Sequence, residues 1–273
     1  MRSIVVASCA LVMSSCSQPP ALITDARKAE LLRSLKGELD RSVETEKSAV
    51  LATTDEESAR FAQESRQASE QVDRLRQELR PILIGEERTR LDTFEAAWAK
   101  VVAIDAKLLP LATANTNLKA ARLAANEAAA LLDVVLGALA SAEAVTKDPV
   151  RLRELSAASV AALRIQVIHP PHIASAEDAQ MTALEARAHE FELKVDQVLA
   201  KPAGVETQAL SAASQPWADY KRATETIFTL SRQNTNVFSY AISVHEKRDA
   251  SLACDAALQA LITHVHRGPT PTR

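Results

Sequence analysis

Apolar residues recur three or four positions apart over most of this 273-residue chain. Phe94, Trp98, Val101, Leu108 and Leu111 form one stripe. Leu210, Trp217, Tyr220, Ile227 and Leu230 form another. That period belongs to helices buried along one face. Breaks in the pattern divide the chain into four arms. Thr24 or Asp25 caps a helix that runs to about Arg80. Pro81 and Gly85 bracket a turn, and a second arm runs from about Glu86 to Ala144. Asp148-Pro149 opens the third arm, with proline at the first helical position. His169-Pro170-Pro171-His172 breaks that arm, because proline donates no helical bond and restricts its neighbour. Ser175 restarts it, with Asp178 three residues on as an acidic variant of a capping box. Lys201-Pro202-Ala203-Gly204 makes the second hairpin turn, and the last arm ends near Val265.

Arms of about 50 to 60 residues are ~75–90 Å long at 1.5 Å per residue. The pattern therefore predicts an all-α, elongated, antiparallel up-down four-helix bundle. Residues 24–146 form its first helical hairpin and residues 147–266 its second, with a linker over 16–23 and a tail over 267–273.

The two hairpins are copies of each other. Trp98 precedes Asn115 by 17 residues, and Trp217 precedes Asn234 by the same interval. Asn115-Thr116-Asn117 recurs as Asn234-Thr235-Asn236, an offset of 119. At that offset Leu91 falls on Leu210, Leu108 on Ile227 and Leu111 on Leu230. Val72 and Leu75 fall on Val195 and Val198 at an offset of 123. A Trp and an identical tripeptide at identical spacing mark a duplication. It predicts parallel second and fourth arms, with both Asn-Thr-Asn motifs in one cross-section. Counting from the turns brings Leu51 to Asp55 and His169 to His172 to the same level.

This polar layer in an apolar rod is the main candidate site: Asn115, Thr116, Asn117, Asn234, Thr235, Asn236, His169, His172, Thr54 and Asp55. A buried Asn without partners costs roughly 1–3 kcal/mol, so the layer has a purpose. One purpose is registry, which fixes helix alignment at some expense in stability. The other is a small-molecule site, where the Pro break frees backbone groups and amides and imidazoles converge. His169 and His172 stand three apart, but two histidines make a weak metal site and no metal or cofactor is expected. Trp98, Trp217 and Tyr220 lie on the stripes as core anchors.

Composition narrows the classes. Five glycines, 11 prolines and 3% aromatics argue against sandwiches, barrels and α/β enzymes. A formal charge of −3 provides no basic footprint for nucleic acid. HExxH, CxxCH, a P-loop, GxSxG and the helical Glu-x-x-His pair of di-iron bundles are absent, and no nucleophile stands with a base. The expectation is a protein that is not an enzyme.

The start of the chain is an address. Met1-Arg2 precedes an apolar run from Ile4 to Met13, too short to span a bilayer. Met13-Ser14-Ser15-Cys16 resembles the bacterial lipoprotein signal, which implies cleavage after residue 15 and lipidation of Cys16. Ser17 resembles the residue of lipoproteins sent to the outer membrane. The expectation is a periplasm-facing lipoprotein tethered at its N-terminus, with no later transmembrane segment. Cys254 is then left without a disulfide partner.

Glu46-Lys47-Ser48-Ala49-Val50-Leu51, with the stretch from Trp98 to Asn117 and Leu118-Lys119-Ala120, resembles the periplasmic four-helix-bundle sensor domains of methyl-accepting chemotaxis receptors and related sensor kinases. The resemblance covers roughly residues 25 to 265. It implies a bundle that senses a small molecule or a periplasmic partner, commonly as a homodimer. The chain carries no second membrane helix and no cytoplasmic signalling coil. A membrane-embedded signalling partner would have to pass any signal inward. The alternative is an interaction rod in the envelope whose Asn-Thr-Asn layer serves helix registry alone.

Overall fold

The computed structural model describes residues 20–202 and 204–267. The signal, Cys16, Ala203 and residues 268–273 lie outside them. The described residues are helical and contain no strand.

The first arm is two helices. α1 (Pro20–Leu51) is already helical at Pro20, so Thr24 and Asp25 do not cap it. The chain turns at Ala52-Thr53-Thr54, and α2 (Asp55–Leu79) packs back along α1. Thr54 is the cap that makes the turn possible. Its backbone is extended and its Oγ1 accepts from Glu57 N–H at 3.1 Å. Asp55, Glu56 and Glu57 place negative charge in that first turn, where the helix dipole favours it.

The third arm doubles back in the same way. α6 (Pro149–Ala174) is capped by Asp148, which accepts from Val150 N–H at 2.9 Å. It runs through Pro170 and Pro171 rather than breaking there. Both prolines are exposed, so water can reach the carbonyls they leave without donors. The turn comes at residues 175–177, before α7 (Asp178–Leu199). Ser175 Oγ accepts from Glu177 N–H and donates to Gln180, while Glu177 occupies the cap position.

The second and fourth arms stay long. α3 (Glu86–Ala114), α4 (Thr116–Leu123), a π-helical turn (Ala124–Ala128) and α5 (Ala129–Val145) follow one line. α8 (Thr207–Arg232), α9 (Thr235–Ile242), a second π-turn (Ser243–Lys247) and α10 (Arg248–Arg267) repeat it. Asp105 meets Lys247 and Thr116 meets Thr235. Moving backwards on one helix therefore moves forwards on the other. The long helices are antiparallel, not parallel, and are related by a pseudo-twofold axis through the Asn-Thr-Asn motifs. Sequence offset alone does not distinguish a translated copy from a rotated one.

Two large cores result, one on each side of that axis, and a smaller cluster of Ala49, Val50, Ala62, Leu108, Leu109 and Ala112 adjoins the first. The first is enclosed by α1, α2, α3 and α10, with Leu32, Leu35, Val72, Leu91, Phe94, Trp98 and Leu258 inside. The second is enclosed by α5, α6, α7 and α8, with Leu132, Val135, Leu155, Ile165, Val195, Trp217 and Ile227 inside. Several fittings occur once in each. Gly85 and Gly204 take positive φ at the turns, +51° and +56°. The indoles of Trp98 and Trp217 donate to Asp73 at 3.0 Å and Asp196 at 2.6 Å. Lys28 pairs with Glu87 at 2.8 Å, and Arg151 pairs with Glu206 at 2.7 Å.

Contrary to the sequence expectation, the helix Glu86–Val145 is long and apolar enough to cross a membrane, by length and composition. Here it is one of the two long helices that wall both cores, and only 28% of its most apolar stretch is buried.

Candidate functional site

The centre of the molecule is built from two asparagines in an unusual backbone state. Asn115 and Asn234 adopt left-handed φ of 52° and 51°, which Asn tolerates better than most residues. One such residue ends a helix and starts the next on nearly the same line. Lys119 N–H returns to Asn115 O, and Phe238 N–H to Asn234 O, both at 2.9 Å. The interruption leaves the first N–H groups of α4 and α9 without helical acceptors.

The opposite motif supplies those acceptors. Thr116 N–H donates to Thr235 Oγ1 at 3.0 Å, and Thr235 N–H to Thr116 Oγ1 at 3.3 Å. Asn117 N–H donates to Asn236 Oδ1, and Asn236 N–H to Asn117 Oδ1, each at 3.2 Å. The amide groups close the ring. Asn236 Nδ2 donates to Asn115 Oδ1 at 2.9 Å, and Asn117 Nδ2 to Asn234 Oδ1 at 3.1 Å. Each Asn-Thr-Asn therefore caps the other helix. The hairpin tips join them. Asn115 Nδ2 donates to Asp55 at 2.9 Å, Arg122 donates to Thr53 O at 2.6 Å, and Asn117 Nδ2 also reaches Ile173 O at 2.7 Å. Thr54 caps α2 as described, and no contact from its side chain into the layer is seen.

The histidines lie off the layer, inside the second core. Both are fully buried. His172 uses both ring nitrogens: Nδ1 meets Ser231 Oγ at 2.6 Å, and Nε2 meets Glu185 at 2.8 Å. Glu185 also accepts two bonds from Arg232, at 2.6 and 2.9 Å, which hold its carboxyl below the ordinary range. Burial lowers His172 despite Glu185, so its neutral form is favoured. His169 Nε2 meets Thr224 Oγ1 at 3.2 Å, and its Nδ1 has no partner. Burial, aided by the nearby His172, pushes His169 down to about 4. Among the described residues no group of three or more His, Cys, Asp or Glu is arranged to hold a metal ion. Cys254 is buried and free, with its thiol pushed up to about 12 by burial.

A groove of about 530 Å³ runs between α7 and α8 above this histidine. Its α7 wall carries Glu185, His189 and Glu192, its α8 wall Lys221, Arg222, Glu225 and Arg232, and Phe228 also lines it. The Phe228 ring is 4.4 Å from that of His172. Glu185 and Arg232 escaped the sequence reading, although the repeat contained the signal. At the repeat offsets they face Ala62 and Thr113, so they are charges that only the second copy possesses.

No protein-family model, curated protein or solved structure matches this chain.

Proposed function

We propose that the chain is a non-enzymatic interaction rod of the bacterial envelope, held at the membrane through Cys16. In this reading two up-and-down four-helix bundles lie end to end, share the long helices and present their outer faces to a partner or a second copy. The Asn-Thr-Asn layer keeps them in register. Reciprocal capping carries the reading. Those side chains spend their donors and acceptors on the opposite backbone, so little is left for a ligand. Crosslinking in intact envelopes should recover one defined partner or a ligand-independent dimer. A chain that stays monomeric in sedimentation and crosslinks to nothing would sink the idea. Cys16→Ser should release the protein from the membrane fraction, and retention would remove the anchor.

A second reading, sensor-like binding of a small molecule, is favoured by the groove rather than by the layer. An acidic α7 wall, a more basic α8 wall and an aromatic floor suit a small zwitterion with an apolar part. A thermal-shift panel of amino acids, organic acids, aromatic acids and divalent metals tests it. A ligand at a hundredfold excess over Kd adds about 2.7 kcal/mol. Arg232→Gln should abolish any shift. A shift that survives Arg232→Gln, or none across the panel, leaves the rod alone standing.

A further inference from the structure

The polar groups beside the π-turns differ in kind between the two cores. At the repeat offsets Glu46 corresponds to His169, Asp105 to Thr224 and Lys247 to Ala128. The first core therefore encloses two carboxyls and an ammonium, where the second encloses an imidazole, a hydroxyl and a methyl. Glu46 and His169 are both 0% exposed. Both oxygens of Glu46 and Nδ1 of His169 have no hydrogen-bond partner. A buried ionisable group without partners is most stable in its neutral form. For Glu46 that form is protonated, and for His169 it is deprotonated.

We propose that these two positions make the ends of the rod proton-sensitive in opposite directions: the first core loosens as pH rises, and the second as pH falls. Each group's neighbours bear on this. Lys247 and Ser243 approach Glu46 from the second long helix, Asp105 from α3, and Lys47 from its own helix. Ser243 acts on the carboxyl without meeting hydrogen-bond geometry. α2 adds Ala62 and Ser65 to this region. His169 faces Tyr220, Thr224 and Phe228 on α8 and His172 on its own helix. The buried residues of α5 and its π-turn are all apolar, while α7 adds Ala188 and Glu192, a carboxyl raised by burial that acts on Tyr220 and opposes the sense of His169. Glu185 and Arg232 act beyond His172.

Burial outweighs Lys247 and raises Glu46 above its ordinary 4.5. A carboxyl raised on folding stabilises fully below its unfolded value, and that contribution is lost as pH climbs through the folded one. Asp105 is raised by burial too, in the same sense. His169 falls from 6.5 to about 4. Its contribution is complete above 6.5 and is lost as pH falls toward 4, on the order of 100-fold in the folding equilibrium.

The chain contains two tryptophans, one in each core, so the cores can be read separately. In the full chain, Trp217→Phe leaves Trp98 to report the first core, and Trp98→Phe leaves Trp217 to report the second. Urea midpoints are then followed by fluorescence from pH 4 to 9. The Trp98 midpoint should fall as pH climbs above 4.5, and Glu46→Gln should flatten that fall. The Trp217 midpoint should fall between pH 7 and 4, and His169→Gln should flatten that one. Comparison with these variants cancels Glu192 and the surface carboxylates. If the cores unfold together, the same flattening is read on one shared midpoint. A slope that either variant leaves intact overturns the proposal. Hydrogen exchange on the unsubstituted chain decides the matter should a variant not fold. α1 and α10 should open faster at high pH, α6 and α8 at low pH, and a common direction overturns it.

Discussion

The two cores use the same fittings and different interiors. Each has a glycine at positive φ in its end turn, a tryptophan tied to an aspartate, an ion pair beside the turn and a π-turn. Each receives its central cap from the other's motif. These are the places where backbone geometry is most demanding, and both copies answer the demand with the same residue types or closely related ones. The packed interior had more freedom. One copy carries Glu46, Asp105 and Lys247 where the other carries His169, Thr224 and Ala128. The outer faces differ as well. α6 exposes Val160, Leu163 and Val167, where α1 at the repeat offset exposes Gly37, Asp40 and Glu44. Duplication supplied two scaffolds of one shape, and the differences accumulated where shape did not forbid them.

The largest test of this contrast is Lys247→Met. It leaves Asp105 and Glu46 buried without a cation and should cost the first core about 3–5 kcal/mol in urea unfolding. Replacing all three groups together, Glu46→Leu, Asp105→Leu and Lys247→Met, should be neutral or stabilising, because no charge remains to desolvate. A triple variant as weak as the single one would mean that the ion pair itself holds the core.

Next comes the shared centre. Thr116→Val removes the acceptor of Thr235 N–H, and Thr235→Val removes the acceptor of Thr116 N–H. Each should cost about 1–3 kcal/mol. Their hydroxyls also bond each other, so the double variant should cost less than the sum. Strict additivity would show that the two caps act independently. The smallest effects belong to the turns. Gly85→Ala and Gly204→Ala should each cost about 1 kcal/mol, and by similar amounts in the two copies.

Much of this was legible in the sequence. The Trp98 and Trp217 stripes, the recurring Asn-Thr-Asn and the change of offset between 119 and 123 all mark elements that do correspond. The layer could also be located, because counting from the turns brought Leu51 to Asp55 to the level of Asn115, although it brought His169 to His172 there as well. The hairpin tips could not be read. Ala52-Thr53-Thr54 contains neither Gly nor Pro, and a single extended Thr suffices to turn the chain. Pro170-Pro171 gives the stronger breaker signal yet sits inside a helix, because its exposed side can be solvated. Asp105 was visible as a carboxylate between Val101 and Leu108 on the core stripe. Its partner Lys247 stands 142 residues away, and no local pattern announces it.

The reciprocal caps also set an order of assembly. As the chain leaves the ribosome, Asn117 must wait for a partner that lies 119 residues further on. Until then the helix after Asn115 starts on bare N–H groups. The first core waits longer still, because its fourth wall is α10, the last helix described. The core begun first is therefore completed last. A chain stopped before Arg248 would retain its second core and leave the first one open along a side.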